Sequence, residues 1–436
     1  MNQLTGEGGM LLPGIIVAAT ILVWASAALP EYLAALLFLA AAMVLHIAPA
    51  DVVFSGFASS AFWLILSGFV FGAAIRKVGL ADRVGGLLSG PLSKSWLRMV
   101  GGVVALSYAL AFVMPSNMGR IALLMPIVMA IADKAEFAEK SAGRTALALA
   151  VGFGTFQLSA SILPSNVPNL VMTSAAESAL GLHFAYLPYL FLHGPVLGLL
   201  KGVALTVCLM LLFPATPAPA GIVEAAPPMS SGEYRLAALL LVTLVLWMTD
   251  SVHGISPAWT GLGMACVCLL PRIGFLSSEE FTAGVNFRTC LYIAGILSLA
   301  AVVARTGIGS LIGNGLLAVL PLDPARPGLD FGALVGLTSV LSFAGTANGV
   351  PALFTPLARV LSEGTGFPLA TVVMTQVIGY ATPLLPYQAS PIVVAMGMAR
   401  IPPRDGIKLC LALAAATYLV LVPLDYGWFR LLGWIP

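Results

Sequence analysis

Charge is what this sequence has least of. Of its 436 residues only 9% are charged, with 20 Lys or Arg against 18 Asp or Glu, while 59% are hydrophobic. A soluble domain carries roughly 25% charged residues, so this chain cannot cover a water-facing surface. Most of it must lie in lipid, where only helices and closed barrels satisfy the backbone. The apolar runs are continuous rather than alternating, which predicts an all-α polytopic membrane protein.

Other absences limit the function. Basic clusters of the kind that bind nucleic acid are missing, so we expect lipid and a small molecule as partners, and no nucleic acid. The 4 histidines and 5 cysteines show no metal-ligand spacing, and neither a Ser–His–Asp grouping nor a phosphate loop occurs. We therefore predict that the protein is not an enzyme and needs no cofactor beyond a coupling ion. A membrane enzyme acting on a lipid-linked substrate is a less favoured alternative.

The apolar runs fall into two halves, 1–213 and 234–436, joined by a Pro/Ala-rich stretch at 214–233 that we interpret as a cytoplasmic linker. Each half shows three spans, a pair of shorter segments, one long interrupted span and a last span. We interpret the short pairs as helical hairpins and the interrupted spans as broken helices. The hairpins are predicted at 96–133 and 330–362, and the broken helices at 142–181 and 366–400.

Matching features recur at nearly constant offsets between the halves. Gly79 and Gly307, each in a short segment after the third span, are 228 positions apart, and Ser116 and Thr346 are 230 apart. Near-constant offsets predict a duplicated unit. With hairpins that return to their own side, each half has five full spans, an odd number, so the second half is inverted relative to the first. Inverted repeats with broken helices are typical of secondary transporters, whose binding sites lie near the midplane.

The positions of basic residues predict the orientation. Residues 1–75 contain no Lys or Arg, and several follow at once within 76–98. The positive-inside rule places 76–98 in the cytoplasm and, three spans back, the N-terminus outside. We therefore expect a multi-pass protein of a bacterial inner membrane, with the first hairpin opening inward and the second outward.

Polar, Gly/Pro-rich interruptions mark where a binding site would form. They lie at 115–120, 164–169, 345–349 and 383–391. Non-helical backbone at membrane depth survives only inside protein or beside a polar cavity. The helix after the first interruption would direct its N–H groups and positive dipole end at that cavity, which suits an anion. We therefore predict a carrier of small anions; capped turns or simple kinks are the alternatives at each interruption.

Arg120 is the strongest single candidate for a functional residue. A charge deep in a membrane segment costs on the order of 3 kcal/mol or more and is a functional-site hypothesis by default. Its guanidinium could clamp a carboxylate, sulfate or phosphate oxygen bidentately, or it could take the place of a coupling cation. The alternative is a structural role, paired with an acid or held in a cage of carbonyl groups.

These motifs resemble the divalent anion/sodium symporter family, which includes citrate, dicarboxylate and sulfate carriers. Ser116-Asn117-Met118 stands where the family's first tip has Ser-Asn-Thr, and Thr346-Ala347-Asn348 stands at the second tip, without the central Asn. Pro168 and Asn169 are retained from the family's first broken span, whereas Gln388-Ala389-Ser390-Pro391 departs from the usual Ala-Thr-Pro-Pro.

The resemblance implies an elevator mechanism, in which hairpins and broken helices move against a homodimeric scaffold. It implies one Na⁺ near Ser116, Asn117 and Ser165, and a second Na⁺ near Thr346, Asn348 and Gln388. The predicted substrate-binding residues are Ser116, Asn117, Met118, Arg120, Asn166, Thr346, Asn348, Gln388 and Ser390.

The expected activity is secondary transport of di- or tricarboxylate-like anions, coupled to Na⁺. Because Arg120 adds a fixed charge and Ala347 replaces an Asn, a Na⁺-independent anion exchanger is an open alternative. Further alternatives are an arsenite or hydroxy-acid carrier of the same superfamily, the membrane subunit of a carrier that uses a soluble binding protein, and a channel.

Overall fold

The computed structural model describes residues 7–26, 29–80, 83, 95–217, 228–308, 320, 322–344 and 346–435. Within these ranges the chain forms helices and turns and no β-strand, so the all-α prediction is confirmed. Part of the predicted linker, 218–227, and Gly345 of the second tip lie outside the described residues.

The helices are named in chain order. The first half has α1 (Glu7–Ser26), α2 (Glu31–Val44), α3 (Ser60–Lys77), α4 (Trp96–Ala111), α5 (Asn117–Lys134), α6 (Ala142–Gln157), α7 (Val167–Leu180) and α8 (Tyr186–Leu212), with short turns at Ala50–Val53 and Ser55–Ala58. The second half has α9 (Ser231–Met248), α10 (Pro257–Leu269), α11 (Phe287–Thr306), α12 (Pro327–Ala344), α13 (Val350–Phe354), α14 (Ala358–Thr365), α15 (Leu369–Tyr380), α16 (Ser390–Met398) and α17 (Pro403–Leu431), with short helices at Asp250–His253 and Ser278–Gly284.

In the described part of the chain, α3, α8, α9 and α17 are long and apolar enough to cross a membrane. The short helix Ser278–Gly284 and α11 would add a fifth span, bent by 57°. Shorter apolar stretches of 10–17 residues lie in α1, α2, α4, α10, α12 and α15. The protein is therefore a polytopic membrane protein. Five full spans per half, the hairpin and broken-helix boundaries and the inverted repeat stay predictions.

Proline and polar residues end the helices within the two long interrupted segments. After α6 the chain passes through the short 3-10 turns Leu158–Ser161 and Leu163–Ser165 before α7 begins. After α15 it passes through the turn Pro386–Gln388 before α16 begins. Proline lacks an N–H and clashes with the preceding turn, so it breaks the interior of a helix. It is tolerated in the first turn, where the N–H would be unpaired anyway, and both α7 and α16 carry a proline there.

The segments after each interruption pack against the opposite half. Helix α16 packs on α5 and α6, and α7 packs on α13 and α15. The two interrupted segments thus cross, with the tips before α5 and α13 beside them. A second group of helices pairs α3 with α10 and α2 with α11, and α7 packs against α3 and α11 of this group. Buried apolar side chains from both halves form one large core, and a smaller cluster around Phe38 joins α1, α2 and α11.

Small residues allow close helix contact at the centre of this arrangement. At Gly379 of α15, an added Cβ would lie 1.8 Å from Thr338 Oγ1 and 3.0 Å from the Val335 carbonyl oxygen of α12. Gly379→Ala should therefore lower the free energy of unfolding by about 1–3 kcal/mol, the usual cost of overpacking. Thermal unfolding in detergent measures the change.

Gly397→Ala is the matched control, because nothing lies within 4 Å of an added Cβ there. In a helix this change should be neutral or stabilise by up to about 1 kcal/mol. Equal stability of the two variants would contradict the contact between α12 and α15.

Candidate functional site

The first tip is the turn between α4 and α5. Ser116 caps α5, and its Oγ accepts a hydrogen bond from the Gly119 N–H at 3.1 Å. The Ser165 hydroxyl, from the interrupted segment, donates to the Ala111 carbonyl at the end of α4. Helix ends have unpaired carbonyls and N–H groups, and at this depth side chains provide the partners. The tip is thereby tied to the first interruption.

Asparagine side chains make the next connection. Asn117 Nδ2 donates to Asn166 Oδ1 at 2.9 Å, and Asn166 Nδ2 donates to the Phe156 carbonyl at 3.0 Å. The Ser159 hydroxyl donates to Asn117 Oδ1 at 3.2 Å. Asn117 and Asn166 are buried. The structure therefore brings these two predicted residues together, but it engages them with protein groups.

Arg120 lies at the centre of this cluster and is fully buried. Its Nη1 donates to the Met114 carbonyl, and its Nη2 donates to Asn117 Oδ1. Nη2 also donates to the carbonyls of Thr155 at 3.2 Å and Ser165 at 3.0 Å. Three main-chain carbonyls and one amide oxygen thus surround the guanidinium. Among the described residues, no ion pair joins Arg120 to a carboxylate.

This cage bears on two predictions. Asn117 and Ser165, both predicted to hold Na⁺, give an oxygen each to Arg120. The geometry is that of the carbonyl-cage alternative, since the terminal nitrogens of the guanidinium donate to protein oxygens. A clamp on a substrate carboxylate and a Na⁺ at this position both stay predictions.

The second tip leads into α13 and is held differently. The Ala347 N–H donates to the Gln388 carbonyl at 2.7 Å, which joins the tip to the second interruption. The Tyr292 hydroxyl lies 3.4 Å from Thr346 Oγ1 and also bonds to the Asn348 side chain. Thr346 and Asn348 are only partly buried. These predicted residues therefore share one tyrosine partner on α11.

Gln388 fills the second interruption with its own side chain. Its Oε1 accepts from the Leu384 and Leu385 N–H groups at 2.7 and 2.8 Å, and its Nε2 donates to Ser342 Oγ at 2.7 Å. No side-chain hydrogen bond of Met118 or Ser390 appears among the described contacts, although both lie at helix starts beside the tips. The substrate roles of all three stay predictions.

Two contacts between the halves were not predicted from the sequence. The Tyr380 hydroxyl donates to Asn169 Oδ1 at 2.8 Å, from the end of α15 to the start of α7. Lys201 Nζ donates to the Ala381 carbonyl at 2.7 Å and to Thr382 Oγ1 at 2.8 Å. A lone charge in an apolar run marks Lys201 in the sequence. Tyr380 carries no such signal, because nothing local distinguishes it from a lipid-facing tyrosine.

Cavities lie beside the interruptions. One of about 260 Å³ is rich in serine, and it is adjacent to a smaller one against Leu163 and Pro164. Its serines are Ser55, Ser59, Ser60, Ser174, Ser178 and Ser256. Ser174 Oγ binds the Ala61 N–H at 3.2 Å, so α7 meets the start of α3 there. A further cavity of about 20 Å³ lies against Tyr292 and Thr346.

Comparisons with known proteins cover nearly the whole chain. The family model described as the sodium:sulfate symporter transmembrane region matches residues 7–435. The L-tartrate/succinate antiporter of Escherichia coli is 25% identical over 84% of this chain and 78% of its own length. A membrane protein of Cupriavidus necator is 25% identical over 87% of this chain and 77% of its own length.

The fold also matches a solved structure. The YdaH transporter of Alcanivorax borkumensis superposes with a TM-score of 0.55 and 15% identity, covering 88% of this chain and 87% of that one. At this identity the likeness shows the fold alone. It agrees with the all-α polytopic architecture described above.

The bond between Tyr380 and Asn169 is open to a direct test. Tyr380→Phe leaves a buried amide oxygen without its donor, so it should lower the free energy of unfolding by about 1–3 kcal/mol. Differential scanning fluorimetry in detergent measures the shift. Tyr387→Phe, at a tyrosine that is half exposed, is the control and should change little. A Tyr380→Phe protein as stable as the control would contradict the contact.

Proposed function

Because this chain belongs to the sodium:sulfate symporter family of membrane anion transporters, we propose that it exchanges small dicarboxylates across a bacterial inner membrane. One observation carries the proposal: a buried positive charge, Arg120, lies at the first tip with no carboxylate paired to it in the described part of the chain. An unbalanced cation in a low-dielectric region favours an anion nearby.

The sequence around both tips and both interruptions supports the same charge preference. The segments 111–120, 155–169, 342–349 and 380–391 contain no Asp or Glu. They offer amides, hydroxyls and helix N-termini, which bind carboxylate oxygens without adding negative charge. A relative that is named as an L-tartrate/succinate antiporter agrees with dicarboxylates as substrates and with exchange as the mode.

The contacts also support elevator movement. Arg120 and Asn117 tie the first tip to the first interruption, and Gln388 ties the second tip to the second. Tyr380 and Lys201 then join the two interrupted segments to the opposite half. Segments tied in this way would move as one body past the group formed by α2, α3, α10 and α11. We propose that this second group is the scaffold of a homodimer, with the N-terminus outside.

Na⁺-coupled dicarboxylate uptake is the second candidate. It is favoured by the second tip, where Thr346 lines a small cavity. Thr346 and Asn348 are only partly buried, and among the described residues no cationic side chain bonds to their side-chain oxygens. The family description, a sodium:sulfate symporter, points the same way.

Counterflow in proteoliposomes separates exchange from uptake. Vesicles loaded with unlabelled succinate should take up labelled succinate or tartrate about tenfold or more faster than empty vesicles, because an exchanger returns loaded. Protein-free vesicles are the background control. Equal uptake by loaded and empty vesicles would contradict exchange, and no uptake of any dicarboxylate would contradict the substrate class.

A further inference from the structure

We infer that Arg120 is a tethered cation: its guanidinium takes the position that a coupling Na⁺ would need at the first tip, so that exchange requires no dissolved cation. The inference rests on the proposed exchange function, because it concerns how that same site is driven.

The cage around Arg120 consists only of uncharged oxygens. Its oxygens come from three segments: the first tip, the end of α6 and the first interruption. Uncharged carbonyl and amide oxygens converging at a helix break are the ligands of a hard cation such as Na⁺. A guanidinium more often pairs with a planar carboxylate or phosphate. Arg120 therefore occupies a site whose ligands suit a small metal cation.

Burying the Arg120 guanidinium carries a desolvation cost. A fully buried cation loses its hydration free energy, and without a carboxylate the neutral oxygens around it compensate for only part of that loss. A neutral side chain at position 120 would avoid this loss if packing were the whole purpose. The oxygens, however, include the Thr155 carbonyl in the last turn of α6, where the helix dipole is negative. These oxygens favour a positive charge at this position, and the guanidinium of Arg120 provides it.

The second interruption repeats the pattern with a different residue. Lys201 Nζ binds the carbonyl of Ala381, the residue that ends α15. Both interrupted segments therefore have a buried side-chain cation at the carbonyl end of their first helix. The two are not equivalent, because the buried Asp425 interacts electrostatically with Lys201. Of these two buried cations, Arg120 is the one without such a carboxylate in the part of the chain that the structure describes.

The same oxygens exclude Na⁺ while the guanidinium is present. Na⁺ and the guanidinium cannot share this space, because Asn117 Oδ1 and the Ser165 carbonyl already accept from Arg120. Thr155 Oγ1 is buried in the same place and has no hydrogen-bond partner among the described residues. Once the guanidinium is removed, these oxygens would be free to coordinate a monovalent cation.

The test compares dicarboxylate counterflow in Na⁺ and in choline for four proteins. The unaltered chain should exchange equally in both. Arg120→Ala should lose exchange in choline and regain it in Na⁺, a difference of roughly tenfold or more. Arg120→Lys, which keeps a charge, should stay independent of Na⁺ at a lower rate. Arg404→Ala removes an exposed arginine on α17 and should behave as the unaltered chain does.

Several results would overturn the inference while leaving exchange itself intact. They are a Na⁺ requirement in the unaltered chain, Na⁺-indifferent exchange by Arg120→Ala, and a folded Arg120→Ala protein that is inactive with and without Na⁺. If Arg120→Ala does not fold, Arg120→Gln keeps hydrogen-bond donors for the cage and should show the same gain of Na⁺ dependence. Absence of any dicarboxylate exchange in the unaltered chain would instead overturn the proposed function.

Discussion

Backbone groups at membrane depth must find partners without water, and the centre of this protein is built around that constraint. Two long segments stop being helical inside the core, and two tips end there as well. Every freed carbonyl or N–H then needs a side chain or another segment. Ser116 supplies such a bond within its own turn, at the start of α5. Ser165 and Gln388 supply bonds to segments far away in sequence, at Ala111 and Ser342. The breaks are therefore where the tertiary structure is held together.

The two halves meet this need with different chemistry. The first uses a charged guanidinium and paired asparagines, whereas the second uses a neutral glutamine together with an amine from α8. Similar backbone geometry thus leads to unequal electrostatics. Any anion that lies between the tips would experience a field directed from the first half. This inequality agrees with the departures from the family motifs at Arg120 and Ala347.

The sequence predicted the class of fold and the location of the polar clusters well, because both follow from simple rules. Few charges and continuous apolar runs require lipid, and Pro with Ser or Asn inside such runs ends a helix. These rules selected Ser116, Asn117, Ser165 and Asn166, which the structure brings together. The partners of Arg120 could not be predicted, because three of them are main-chain carbonyls and any residue type can provide those.

Contacts between the halves were hidden for a related reason. Tyr380 faces Asn169 only because α15 is rotated in one particular way, and a helix that is apolar all round gives no hydrophobic stripe from which to read its rotation. The serine-lined cavity was missed similarly, since its serines come from three separate segments, at 55–60, 174–178 and 256. Burial alone distinguishes such residues.

A charge that is covalently attached cannot be left behind when its surroundings move. If the tips and interruptions travel across the bilayer together, the Arg120 charge travels with them through the transmembrane potential. Each elementary charge moved through 100 mV changes the free energy by about 2.3 kcal/mol. In a cell that is negative inside, the potential would hold the unloaded carrier at the cytoplasmic face, while a bound dianion would reverse the sign of the moving unit. The buried arginine would then make the outward return of the unloaded carrier slower as the membrane potential becomes more negative inside.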